Sequence, residues 1–143
     1  MASSNERQSV SAAANPLGFG SGQVVQEFGW DEDVDEDLRD AVMNDTQEDL
    51  EDEDYTNVAD GALVWWRDDD GDGDDLADLL MDAIGNLDDG GVIWVLTPKA
   101  SRGDHVDSRT IEQAAKTAGL NPTSTAVVGP EWAGTRIVSK AKR

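Results

Sequence analysis

Three apolar runs in the chain end on residues that can meet a ligand. Glu27-Phe28-Gly29-Trp30 places a carboxylate, a glycine and an indole within four residues, while Trp65-Trp66-Arg67 and Thr97-Pro98-Lys99 close two further runs. At the carboxyl ends of strands, such groups can wall a pocket: an indole stacks on a base, and an ammonium meets an anion. Glu27, Gly29, Trp30, Trp66, Thr97 and Lys99 are therefore the candidate ligand-binding residues. Each has a plainer use as well. Glu27 can cap the next helix, Lys99 can finish a strand at the surface, and Trp65 and Trp94 lie inside apolar runs and read as core. Trp132, between turn residues, can pack over a hairpin or anchor a partner.

Three other stretches invite chemistry and do not support it. Asp68 to Asp75 (DDDGDGDD) opens like a calcium-binding EF-hand loop, with oxygen ligands at its first, third and fifth positions and Gly73 at the sixth. Its twelfth position is Leu79 where a bidentate Glu is required, and a strand precedes it in place of a helix, so no metal site is assigned. Gly18, Gly20 and Gly22 precede the first strand, whereas a dinucleotide-binding turn places its glycines after one. His105 is a lone loop histidine without an evident partner. With no cysteine in the chain, disulfides and thiolate chemistry are excluded, and no catalytic residue is assigned.

The elements that must position these residues centre on Asp74 to Lys99. Leu76, Leu79, Leu80, Ala83, Ile84 and Leu87 recur at helical steps, with Asp72 or Asp74 as cap. Asp88-Asp89-Gly90-Gly91 is expected to break the chain, and Val92 to Leu96 to form a strand buried on both faces. Before this unit, Gln23 to Phe28 reads as a first strand and about Asp35 to Met43 as a helix facing inward through Val34, Leu38, Ala41 and Val42. Asp45 to Asp54 reads as an exposed acidic loop or a ragged helix end, and Ala62 to Trp66 as a second strand. After it, a helix capped by Asp107 or Ser108 runs to about Ala118, where Gly119 stops it. Thr123 to Val128 and Thr135 to Ser139 close the chain; the link between them is too short for a crossover, so they pair antiparallel. Residues 1–16 read as a disordered tail, 17–139 as one α/β domain and 140–143 as a short basic tail.

Charge is distributed unevenly. Residues 27–89 carry 26 acidic against two basic side chains, Arg39 and Arg67, while residues 90–143 carry eight basic and four acidic. The net charge of −20 opposes direct contact with nucleic acid and steers cationic partners. An acidic solvated face is the plain account of such a balance. No window reaches the length of a membrane span, and the first residues lack the basic-then-apolar layout of a signal peptide, so a soluble cytoplasmic protein is expected.

The order of elements, strand-helix three times and then a reversed pair, resembles a shortened class I methyltransferase-like fold. Gly22 to Gly29 (GQVVQEFG) looks like that family's approach loop, first strand and acidic residue. Asp60 to Val64 (DGALV) looks like its later substrate-side strand, and Gly90 to Val95 (GGVIWV) like its glycine-then-strand element. The resemblance implies S-adenosylmethionine held by a glycine-rich turn after Glu27. Here Trp30, Asp31, Glu32 and Asp33 stand where further glycines belong: Trp30 blocks close backbone approach, and the acids face the cofactor's carboxylate. A second resemblance spans nearly the whole chain from Leu17. Gly22–Asp35, Leu63–Arg67 (LVWWR), Gly91–Lys99 (GVIWVLTPK) and Ala133–Arg136 (AGTR) look like an uncharacterised actinobacterial domain-of-unknown-function family. It implies no activity and transfers no catalytic residue.

The sequence thus predicts one three-layer, doubly wound α/β domain whose mostly parallel sheet ends in an antiparallel strand pair. Its expected role is a non-enzymatic interaction or regulatory module without a cofactor, engaging a protein partner of basic character and neither nucleic acid nor membrane. The alternative is a small-molecule or nucleotide binder, or a methyltransferase-like enzyme with a degenerate cofactor motif.

Overall fold

A computed structural model describes residues 17–139, so the two tails expected at 1–16 and 140–143 lie outside the described residues. The elements run β1 (Val25–Phe28), α1 (Glu36–Thr46), β2 (Ala59–Trp65), α2 (Gly73–Asn86), β3 (Leu87–Pro98), α3 (Ser108–Thr117), β4 (Leu120–Val127) and β5 (Trp132–Ser139). The sheet order is β1-β2-β3-β5-β4. β1, β2 and β3 are parallel, and β5 lies antiparallel between β3 and β4. The expected α/β class and the reversed final pair are both present.

Alternation along β2 and β3 explains why their sequences read as unbroken apolar runs. Ala62, Val64, Trp66, Ile93 and Val95 face one side, where they pack with Leu76, Leu80 and Ala83 of α2 and Ile111, Ala114 and Ala115 of α3. Leu63, Trp65, Trp94 and Leu96 face the other, against Leu38 and Val42 of α1 and the lead-in residues Leu17 and Phe19. Helices on both faces of a sheet leave its central strands no solvent side. The lead-in is anchored: Trp94 Nε1 donates to Leu17 O at 3.1 Å, and the Phe19 ring lies against Gly61, where a Cβ would collide with it.

Asp35 caps α1 by accepting from Leu38 N at 3.0 Å, Asp72 caps α2 by accepting from Asp74 N and Asp75 N, and Asp107 caps α3 by accepting from Arg109 N. Part of the acidic load therefore satisfies helix N-termini.

Several boundaries differ from the sequence reading, β2 among them, which begins at Ala59 and not at Ala62. Asp88-Asp89-Gly90-Gly91 does not end a segment: β3 begins at Leu87, paired with Ala59, and the ladder resumes at Gly61 against Val92. The four residues bulge out within the strand, Gly90 turning at φ +81°. Secondly, the acidic stretch from Asp45 is a helix end at first and is then partly bound. α1 continues to Thr46, Gln47 caps it at φ 61°, and Glu51 then bridges the outer side of β1. Its N–H donates to Val25 O at 2.9 Å and its carbonyl accepts from Glu27 N at 2.7 Å. Finally, β4 and β5 begin earlier than expected, at Leu120 and Trp132, so Trp132 belongs to a strand and not to the connecting turn.

Candidate functional site

The carboxyl ends of β1, β2 and β3 are the place where a doubly wound sheet offers a ligand crevice. In this chain that region is built around arginines. Arg67 lies two residues past the end of β2 and is buried at 7% exposure. Its Nη1 donates to Gly29 O at 2.8 Å, across the turn that follows β1. Its Nη2 and Nε donate to the two carboxylate oxygens of Asp33 at 2.6 and 3.1 Å, a bidentate pair, and Asp70 accepts from the Arg67 N–H at 2.9 Å. Arg102, from the loop after β3, donates to the same Asp33 at 3.1 Å and to Asp104 at 2.7 Å.

Between the two guanidiniums stands Trp132. Arg67 lies 5.4 Å and Arg102 5.1 Å from its ring centroid, and its Nε1 donates to Asp33 O at 3.2 Å. Trp65 meets it edge to face at 4.9 Å. β5 runs antiparallel, so its first residue Trp132 sits at the end where the parallel strands finish, opposite Pro98. That reversal delivers the indole to this end of the sheet. The Arg67 guanidinium, hydrogen-bonded through both oxygens of Asp33, and Arg102 beside it hold the Asp33 carboxyl below its ordinary range. Burial opposes the charge on Arg67, but the carboxylates of Asp33 and Asp70 outweigh it, and its pKa is raised.

A second constellation lies on the α1 side of β1. Glu27 is buried at 6% exposure, and its carboxylate accepts from Arg39 Nε at 2.8 Å, Arg39 Nη2 at 2.9 Å and Trp65 Nε1 at 2.8 Å. The hydrogen bonds that Arg39 donates to Glu27 push its pKa above the ordinary value. Glu27 therefore clamps α1 to the sheet; it does not cap that helix, a task held by Asp35. Beside the clamp opens a shallow groove of about 520 Å³, lined by Glu27, Trp30, Arg39, Asp52, Glu53 and Asp54. Its acidic wall is ordered: Glu53 accepts from Gly29 N at 2.8 Å, and Gln26 Nε2 donates to Asp52 O at 3.0 Å. Trp30 is half exposed at the rim.

Of the six candidate residues, Glu27 and Trp30 line this groove and Gly29 adjoins it; the other three lie elsewhere. Trp66 is a core residue, packed with Leu76, Val106 and Ile111, because the alternation of β2 turns it toward the helical layer. Thr97 is buried in β3 opposite Ala133, and Lys99 is half-buried with its backbone N–H donating to Glu131 O. Gly29 is required, though by the protein itself: at φ +76° its Cα faces the Trp65 carbonyl so closely that a Cβ would overlap it. The Asp68–Asp75 stretch forms a short 3₁₀ turn, Asp68–Asp70, followed by the α2 cap; the Asp70 carboxylate accepts from Arg67, and those of Asp72 and Asp75 accept from backbone N–H groups.

Sequence reasoning missed Arg67, Arg102, Asp33 and Trp132 as one cluster. A signal existed for Arg67 and Arg39. They are the two cations among 26 acidic residues between positions 27 and 89, and each forms an ion pair with one buried member, Glu27 for Arg39 and Arg67 itself for Asp33.

The fold belongs to the Rossmann-like methyltransferase type. The chain matches the O-methyltransferase NcsB1 of neocarzinostatin biosynthesis with a TM-score of 0.69 at 12% identity, covering 91% of this chain and 53% of that one. It matches the pyocyanin biosynthetic protein PhzM at 0.68 and 12%, covering 92% and 55%. A TehB-like S-adenosylmethionine-dependent methyltransferase from Corynebacterium glutamicum is covered to 96%, as is this chain, at a TM-score of 0.52 and 12% identity. The chain thus spans about half the length of the first two proteins, and identities this low establish the fold alone. By sequence, the chain belongs to the family described as protein of unknown function (DUF3052), which matches residues 14–141. Its relatives include the proteins Rv2239c of Mycobacterium tuberculosis and Mb2263c of Mycobacterium bovis. Each is 48% identical over 130 residues, covering 91% of this chain and 80% of theirs. Among the described residues, no helix is long and apolar enough to cross a membrane.

Proposed function

We propose that this chain is a non-enzymatic interaction module that uses a methyltransferase-type scaffold to present an acidic surface to a basic protein segment. The observation that carries this reading is the Arg67–Asp33–Arg102–Trp132 cluster at the carboxyl ends of the strands. S-Adenosylmethionine would need free backbone and open space at the turn after β1. Instead, the Gly29 carbonyl is engaged by Arg67, and Asp33, two positions past the exposed Trp30 and Asp31, holds two guanidiniums. The residues present do not fit that cofactor, and no methyl-transfer step is derived for them. The charge supports the other half of the reading. Cations of a partner would be drawn to residues 27–89, and the Trp30 rim offers such a cation an aromatic face beside the carboxylates of Asp52, Glu53 and Asp54.

Titration with oligolysine and oligoarginine peptides, followed by tryptophan emission, tests the reading. Saturable binding that weakens as salt is added, and that titration calorimetry finds lost in Trp30→Ala, supports it. The opposite result is stabilisation by S-adenosylmethionine of about 2.7 kcal/mol at a hundred times its dissociation constant. Peptides that leave the emission unchanged beside such a shift would overturn the proposal. The groove of about 520 Å³ favours one second reading, a small cationic or aromatic ligand stacked on Trp30, for which the same emission signal would respond to the small molecule and not to the peptides.

A further inference from the structure

The two edges of the sheet are built differently. At the β1 edge, Glu51 bridges the outer backbone and the Gln26 side chain ties residues 52–55 across it, donating to the carbonyls of Asp52 and Tyr55. At the opposite edge, β4 pairs with β5 alone among the described residues, and nothing else bonds its outer side. An uncovered strand edge is a row of donors and acceptors ready to pair. Proteins usually guard one with charge, yet residues 120–130 carry no charged side chain in a chain of net −20. Asn121, Thr123, Ser124, Thr125 and Val127 are exposed, and Val127 is the most exposed large apolar residue described, at 71%. Pro122 and the register shift beside it guard only the beginning of the strand, leaving Ser124–Val127 regular.

We infer that β4 is a self-association edge, at which a second copy of this chain pairs antiparallel through Ser124–Val127. The choice of a second copy rests on charge. Copies of so acidic a chain repel wherever residues 27–89 approach one another. The strand order β1-β2-β3-β5-β4 puts β1 and its acidic flank about 19 Å from β4, and β3, from which Asp88 and Asp89 bulge, about 10 Å, at about 4.8 Å per strand. Joining two β4 edges would set the two β1 edges about 43 Å apart and the two β3 strands about 24 Å apart, both well beyond the Debye length of about 8 Å at physiological salt. The strand itself offers a basic or acidic partner no charge, the nearest being Arg136 of β5, whose Nη1 donates to Thr123 Oγ1 at 3.1 Å, whereas an identical strand meets its own polar and β-branched side chains. The pairing is short, so the dimer is weak and forms at high protein concentration.

Sedimentation equilibrium of the full chain over a wide concentration range, at low and high salt, tests this. The weight-average mass should rise from 15.4 kDa toward twice that value, and more readily at high salt, where residual repulsion is screened. Amide exchange across residues 124–127 should slow as concentration rises, while exchange in β1 stays constant. Thr125→Asp or Val127→Asp, both at exposed positions, should return the mass to the monomer value with the melting temperature retained. A constant monomer mass at every concentration overturns the inference, as does association that both variants leave intact. Concentration-independent protection of β4 would also overturn it, since the edge would then be covered within one chain.

Discussion

At the scale of single residues, the molecule is organised by a few cations placed among many anions. Glu27 sits at 6% exposure because three N–H groups converge on it. Glu27→Gln keeps the shape and removes the charge that Arg39 requires. It should cost about 1–3 kcal/mol of unfolding free energy, measured by urea denaturation. Asp33 gives a pH signature. Its carboxyl is held below the ordinary value by Arg67 and Arg102, so the stabilisation it provides is complete above the unfolded-state pKa of about 4. That stabilisation disappears as pH falls through the lower folded-state value. Thermal melts should therefore show the wild type losing stability below about pH 4 more steeply than Asp33→Asn, while at neutral pH the wild type is the more stable of the two. The sequence made Glu27 and Gly29 visible as special positions but left their purpose open, because the partners lie 12 and 36 positions away, at Arg39 and Trp65. Arg102 and Trp132 gave no local sign at all: their roles arise only when the β3 loop and the start of β5 meet the turn after β1.

At the scale of elements, legibility follows how local the determinants are. α2 and α3 were readable in both face and cap because apolar spacing and the preceding aspartate lie within the helix itself. Asp72→Ala should accordingly lower stability by about 1 kcal/mol and increase amide exchange in the first turn of α2. β3 was readable as buried, yet its beginning was not. Whether Asp88 to Gly91 ends a strand or bulges from it depends on Leu87 finding Ala59, a contact across the sheet. The same holds for Glu51, which sits in an acidic run and whose pairing is supplied by β1. Gly61 marks a close approach of another kind, with Phe19 packed where a side chain would stand. Gly61→Val should displace the lead-in segment, and limited proteolysis should then cut near Leu17–Phe19 at a concentration that spares the wild type.

For the whole molecule, one variable separates the forces at work. Salt screens the self-repulsion of a chain with net charge −20, so the melting temperature should rise on going from low to physiological ionic strength. The same change should weaken capture of basic peptides, because that attraction is screened as well. The fold class was legible because element order and two-sided burial are properties of the sequence pattern. The filled crevice was not, since it is made by side chains from four separated segments. Trp30 offers a last consequence, an optical one. Trp65, Trp66, Trp94 and Trp132 are all at or below 6% exposure, and Trp30 alone among the five is open at 50%. The red edge of the emission band therefore comes from one known ring surrounded by carboxylates. Caesium should quench it efficiently and iodide poorly, and the ratio of the two reads the electric potential at that point of the surface without any label.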